Sequence, residues 1–120
     1  MNINEVIEIG RLVRDPDLKY ATNGSAIMDF SIAVNHRKKQ GQDTEDVSYF
    51  NCKAFGKLAE SLKPYMQKGK QVGIAGYLKQ ERWTTQDGTK RDRVVINCDE
   101  IELLGGNQNH NTSSDPYNYD

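Results

Sequence analysis

Three aromatic side chains lie within a few residues of a cation: Tyr49 ahead of Lys53, Phe55 ahead of Lys57, and Trp83 directly after Arg82. A ring with a positive charge beside it suits a planar, anionic ligand. Nucleobases can stack on the ring while the cation meets phosphate, and every base has a π-face, so such stacking is indifferent to sequence. Each stacked base contributes about 1–3 kcal/mol. The competing role for each ring is the hydrophobic core, and for Phe55, at a strand-to-helix junction, the pattern suits either. Trp83 fits the core less well. It is the only tryptophan, it lies between Arg82 and Thr84-Thr85, and burying it would require its hairpin to fold back over the rest of the chain.

The formal net charge of -1 counts, by itself, against a polyanionic ligand. Its distribution reverses that reading. All 16 Lys and Arg precede Gly106, where they face 15 acidic residues, while Asp115 and Asp120 lie in the segment beyond. The cations also cluster: Arg11, Arg14 and Lys19 around a first hairpin, Arg37, Lys38 and Lys39 in a polar loop, and Lys79, Arg82, Lys90, Arg91 and Arg93 on a last hairpin. A cluster of this kind is most often a solvated face, but interleaved with the rings it becomes a candidate phosphate-binding surface. Arg11, Arg37, Lys38 and Arg82 are the candidate contacts from these groups.

Other chemistries find little support. His36 and His110 sit in polar segments, and neither an HExxH motif nor a GxxxxGK phosphate loop occurs. Cys52 and Cys98 have no CxxC spacing and no histidine cluster nearby, which points to small buried residues rather than to a metal site or a disulfide. Asp99, Glu100 and Glu102 are the densest carboxylates, and strand alternation would send neighbours to different faces. No cofactor, metal or catalytic residue is expected.

The elements that must carry these residues are mostly strands. Ala26, Met28, Phe30, Ile32 and Val34 alternate with Ile27, Asp29, Ser31, Ala33 and Asn35, the period of a half-buried strand. Val6 to Val13 reads as an earlier strand ending at Asp15-Pro16-Asp17, and Asn23-Gly24 is a turn. His36 to Asp46 is a polar loop. Val47 to Phe55 alternates again, with Tyr49, Asn51, Lys53 and Phe55 on one face and Ser48, Phe50, Cys52 and Ala54 on the other. One of these faces is buried, and the alternation is compatible with either.

One helix is readable from about Gly56 to Met66, where Leu58, Leu62 and Met66 recur at spacing four, with Pro64 disturbing its last turn and Gly69 supplying the stop. Val72, Ile74, Gly76 and Leu78 begin another strand, and Gly73 and Gly76 mark a bend or a close backbone approach. Trp83 precedes the turn Gln86-Asp87-Gly88, and Val94, Ile96 and Cys98 lie on the returning strand. This order predicts an all-β OB-fold, a five-stranded Greek-key barrel with one short helix between its third and fourth strands.

The chain of 120 residues suits a single domain. Its expected bounds are residues 1–106, followed by a tail, 107–120, with no aliphatic side chain and an expectation of disorder. No apolar run approaches the ~20 residues of a membrane span. The first five residues lack the features of a signal peptide, so the expected location is the cytoplasm, with no membrane contact.

From about Asn2 to Gly105 the chain resembles the bacterial single-stranded DNA-binding protein family. The resemblance is carried by Ile9-Gly10-Arg11-Leu12 with Asp15-Pro16, Asn23-Gly24, Phe30-Ser31-Ile32-Ala33-Val34-Asn35, Asn51-Cys52, Ala54-Phe55-Gly56-Lys57-Leu58-Ala59-Glu60, Lys68-Gly69, and Trp83 with Asp87-Gly88. It implies an OB-fold homotetramer that binds and protects single-stranded DNA in replication, recombination and repair, without catalysis. It also implies stacking by Tyr49, Phe55 and Trp83, and phosphate contacts from Lys57 and Lys68. Two departures stand out. Lys38 occupies a loop position where many members have a further stacking aromatic. Residues 115–120 read Asp-Pro-Tyr-Asn-Tyr-Asp, whereas the family's tails typically close in Ile-Pro-Phe; replication and repair proteins are candidate partners, but the usual recruiting motif is absent. The alternative function is an OB-fold adaptor acting mainly through protein contacts in a replication or recombination assembly, suggested by the near-neutral body.

Overall fold

A computed structural model describes residues 1–37 and 46–105. Lys38 and the tail expected from residue 107 onward lie outside the described residues.

Six strands form one sheet: β1 (Val6–Leu12), β2 (Asp17–Tyr20), β3 (Ala26–Asn35), β4 (Val47–Phe55), β5 (Gln71–Thr84) and β6 (Lys90–Leu103). β1 pairs antiparallel with β5, β5 with β6, and β4 with β3, while β6 meets β4 in a short parallel contact at Cys52–Ile96 and Lys53–Asn97. The ring closes where Arg11 and Leu12 of β1 pair with Ala33 and Ile32 of β3. Closing the sheet on itself removes most of the open strand edge that a flat sheet would expose. β2 pairs with β3 alone and stands outside this ring. Five strands therefore close the barrel, and the helix α1 (Gly56–Leu62) falls between the third and fourth of them, β4 and β5. The expected OB-fold holds. The extra strand arises because the chain, interrupted at Pro16, resumes extended pairing along β3 before the Asn23-Gly24 turn.

The core follows the predicted alternation. Leu12, Met28, Phe30, Ile32, Cys52, Val72 and Ile74 are buried together inside the barrel, and burying a large aliphatic or aromatic side chain of this kind contributes about 1.5–3 kcal/mol. Cys52 and Cys98 are both free thiols in this core, as small buried residues would be. The helix is shorter than its apolar spacing suggests. It ends at Leu62, and Lys63–Tyr65 form a 3₁₀ turn around Pro64, which cannot donate a helical hydrogen bond. Ala59 and Met66 still reach the core, with Leu58 and Leu62 packed against it, so the helix plugs one end of the barrel.

β5 and β6 are each 14 residues long and run past the barrel as a two-stranded arm. A register shift falls between Ala75 and Gly76, where the pairing of β5 with β1 ends at Val6–Gly76, and the arm runs on beyond Leu78. Gly76 is required there: a Cβ would lie 1.9 Å from the Asn97 carbonyl oxygen, so no larger residue fits without parting the two strands. Gly88 takes φ +88° in the turn at the tip, where Thr85 and Thr89 exchange hydrogen bonds and Asp87 accepts from the Thr89 N–H. Among the described residues no helix is long and apolar enough to cross a membrane.

Candidate nucleic-acid interface

The face of β4 is decided by its neighbour. In an antiparallel pair, directly opposed residues point to the same side of the sheet. Met28, Phe30 and Ile32 of β3 are in the core, so their partners Ala54, Cys52 and Phe50 turn inward with them. The other set is thereby turned out: Tyr49 is 67% exposed and Phe55 44%, with Asn51 and Lys53 between them. Phe55 is thus a surface ring. Tyr49 and Phe55 lie on one strand face about 20 Å apart, at roughly 3.3 Å per residue.

Trp83 reaches the same outer surface through the arm. It stands opposite Arg91, and Glu81, two residues back on the same face, stands opposite Arg93. Trp83 is 45% exposed, and the Arg93 guanidinium carbon lies 5.9 Å from the centroid of its ring. This is a cation–π contact, which favours an Arg over the face of an indole. Arg82, by contrast, alternates to the opposite face of the arm and bonds the Gln80 side chain at 2.6 Å. The cation beside Trp83 in space is therefore Arg93 rather than its sequence neighbour.

A chain of charges ties the arm to the barrel. Lys53 Nζ approaches Glu81 Oε2 at 2.7 Å, and Arg93 Nε donates to Glu81 Oε1 at 3.0 Å. Lys53 also faces Asp29 Oδ1 at 3.9 Å, and Asp29 Oδ2 faces Lys19 Nζ at 3.3 Å. Five strands, β2 to β6, contribute one member each. The Lys53 hydrogen bond, aided by Arg93, holds the Glu81 carboxyl below its ordinary range despite partial burial, which keeps it ionised. Next to this network a polar cleft of about 150 Å³ is bordered by Arg14, Ser31, Asn51, Lys53 and Arg93. A second hollow, of about 310 Å³, lies beside Trp83 and is bordered by Arg82, Lys90 and Arg91.

The remaining predicted cations are dispersed. Arg11 points outward from β1 and spends one Nη on the Gly69 carbonyl at 3.1 Å. Arg37 is exposed just beyond β3, Lys57 is exposed on α1, and Lys68 is exposed after the 3₁₀ turn, its backbone N–H held by Asp15 Oδ1 at 2.8 Å. The structure thus brings Tyr49, Phe55 and Trp83 to the outer surface of β4 and the arm, and leaves Arg82 on the other side of that arm. Sequence reasoning passed over Glu81 and gave Arg93 no role of its own. The signal existed: counting outward from the Asp87-Gly88 turn sets Trp83 against Arg91 and Glu81 against Arg93. Among the described residues no group of three His, Cys, Asp or Glu side chains is placed to hold a metal ion.

The single-strand binding protein family model matches residues 3–104. The chain is similar to the single-stranded DNA-binding protein of Treponema pallidum, 42% identical over 105 residues, covering 87% of this chain and 59% of that protein. It is likewise similar to the single-stranded DNA-binding protein of Borreliella burgdorferi, 42% identical over 110 residues, covering 90% of this chain and 74% of the relative. The single-stranded DNA-binding protein 3 of Clostridium acetobutylicum is 37% identical over 120 residues, covering 97% of this chain and 82% of its own length.

Proposed function

The chain belongs to the single-strand binding protein family, and from that premise we propose that it binds and protects single-stranded DNA without regard to sequence, in replication, recombination and repair. It acts in the cytoplasm as a coat and catalyses no reaction. The observation that supports this reading best is the exposure of three large rings, Tyr49, Phe55 and Trp83, on the barrel and its arm. An exposed indole or phenyl ring has unused apolar area, and stacking a base on it recovers about 1–3 kcal/mol. Arg11, Arg37, Lys38, Lys57 and Lys68 supply phosphate contacts, while Arg82, on the opposite face of the arm from Trp83, serves only DNA that wraps round the arm. With a formal net charge of -1, capture depends on these local groups, and affinity falls steeply with added salt.

We further propose that the working form is a homotetramer. Ile7 and Ile9 project outward from β1 over Ala75 and Gly73, leaving an exposed apolar strip on the barrel. From Val6 to Gly10, β1 is paired on the β5 side only, and an open strand edge can pair antiparallel with its own copy about a two-fold axis. Light scattering measures the mass directly.

The binding test uses the single tryptophan. Oligo-dT should quench Trp83 fluorescence to saturation at low salt, duplex DNA of equal length should not, and added salt should reverse the effect. Absence of both quenching and a gel mobility shift at low salt refutes the proposal.

A further inference from the structure

Glu81 is an anion on the surface assigned above to a polyanion. By charge alone it should hinder capture of DNA, because it adds negative potential beside Trp83 and occupies two cations. The geometry gives it another role. Its two carboxylate oxygens are divided between Lys53 on β4, at 2.7 Å, and Arg93 on β6, at 3.0 Å. One partner belongs to the barrel wall and the other to the arm, so the carboxylate spans the joint between them. Arg93 in turn lies over the Trp83 ring.

Two further observations separate the roles of the two cations. The Lys53 side chain is only 16% exposed and stands between Glu81 and Asp29, so its charge is satisfied within the protein. The Arg93 side chain is 46% exposed and commits its Nε to Glu81, while the guanidinium rests against the indole. A two-stranded arm is flexible on its own, since an isolated hairpin is marginally stable in water. The link at Glu81 restrains it at the level of the stacking ring.

We propose that Glu81 is a positioning residue for single-stranded DNA: by bridging Lys53 and Arg93 it fixes the arm against β4 and presents Trp83, with Arg93 over it, to the same strand of DNA that meets Tyr49 and Phe55. Lys53 is then a tether and not a phosphate ligand. This inference rests on the DNA-binding reading above.

Charge and position predict opposite signs for one substitution, which makes the test decisive. Binding of end-labelled oligo-dT is followed by fluorescence anisotropy over a series of salt concentrations. Glu81→Gln removes a negative charge, yet it should weaken binding roughly threefold or more as the stacking platform loosens, and it should move free Trp83 emission to longer wavelength. Glu60→Gln, which makes the same charge change at an exposed site on α1 outside the network, should leave affinity the same or slightly tighter. Lys53→Met breaks the tether from the barrel side. It should weaken binding while leaving the salt slope unchanged, whereas loss of a phosphate ligand lowers that slope by about 0.7 for single strands. Thermal melts of each variant confine the comparison to folded protein, and Lys53→Met keeps the test sharp should Glu81→Gln prove unstable. Equal or tighter binding by Glu81→Gln overturns the inference, as does a reduced slope in Lys53→Met. Wild-type protein that ignores oligo-dT refutes the DNA-binding reading itself, and the inference falls with it.

Discussion

Replacing Trp83 by alanine isolates stacking from folding, because the ring stands on the arm and takes no part in the barrel core. In the free protein one interaction of the ring is the contact with Arg93 at 5.9 Å, which at an exposed site contributes about 0.5–1 kcal/mol. Because the residue is only 45% exposed, lost packing adds to this, and Trp83→Ala should cost the fold about 1–2 kcal/mol in all. On DNA the variant loses a stacking platform contributing about 1–3 kcal/mol. At about 1.4 kcal/mol per tenfold change, Kd should rise by roughly five- to over a hundredfold. The substitution removes the only intrinsic tryptophan, so the assay is anisotropy of a labelled oligo-dT, paired with a urea titration that reports stability. Trp83→Phe keeps a smaller ring and should fall between the two. A Trp83→Ala protein that is folded and binds within twofold of wild type would show that the arm's ring does not stack on DNA.

Three other perturbations test the scaffold. Gly76→Ala places a methyl 1.9 Å from the Asn97 carbonyl oxygen and 2.8 Å from its carbon, both backbone atoms, so the β5–β6 ladder must open; unfolding by urea should show a loss of about 2 kcal/mol or more. A loss below about 0.5 kcal/mol would mean that the strands do not approach as described. Cys52 and Cys98 should resist a water-soluble thiol reagent in the native protein and react on unfolding, because both are buried, and the neighbouring Cys98 together with burial pushes the Cys52 thiol up; rapid native labelling of either contradicts their placement. Glu81 has a native carboxyl pKa below its ordinary 4.5, so its ion pairs stabilise the fold above that value and are lost as pH falls through the lower native one. Below about pH 4.5 wild type should lose more stability than Glu81→Gln, and parallel decline of the two in acid melts would remove Glu81 from the account.

Much of the barrel was legible because alternation is a local property. Met28, Phe30 and Ile32 announce a buried strand face by spacing alone, and the glycines at turns announce where strands reverse. The helix was legible in existence but not in length, since Leu62 and Met66 share an apolar spacing that Pro64 does not respect as helix. The short strand at Asp17–Tyr20 had no comparable signal. Four residues carry too little periodicity, and that strand exists because β3 extends alongside it.

The candidate site divides along the same line. Tyr49, Phe55 and Trp83 stood out by residue type and setting, but whether Phe55 faced the core or the solvent depended on which residues of β3 lay opposite it. Alternation specifies two faces without ranking them, and only pairing Cys52 with Phe30 and Ala54 with Met28 sends Phe55 outward. In the same way Arg82 adjoined Trp83 along the chain, yet neighbouring strand residues point to opposite sides, so the partner in space is Arg93 from the facing strand. By itself the sequence determined the strand periodicity, the turns, the kinds of side chain available to a ligand, and through its motifs the family. Tertiary structure alone decided which face each ring occupies and which charges meet, because Lys53, Glu81 and Arg93 come from three strands whose proximity depends on the barrel closing.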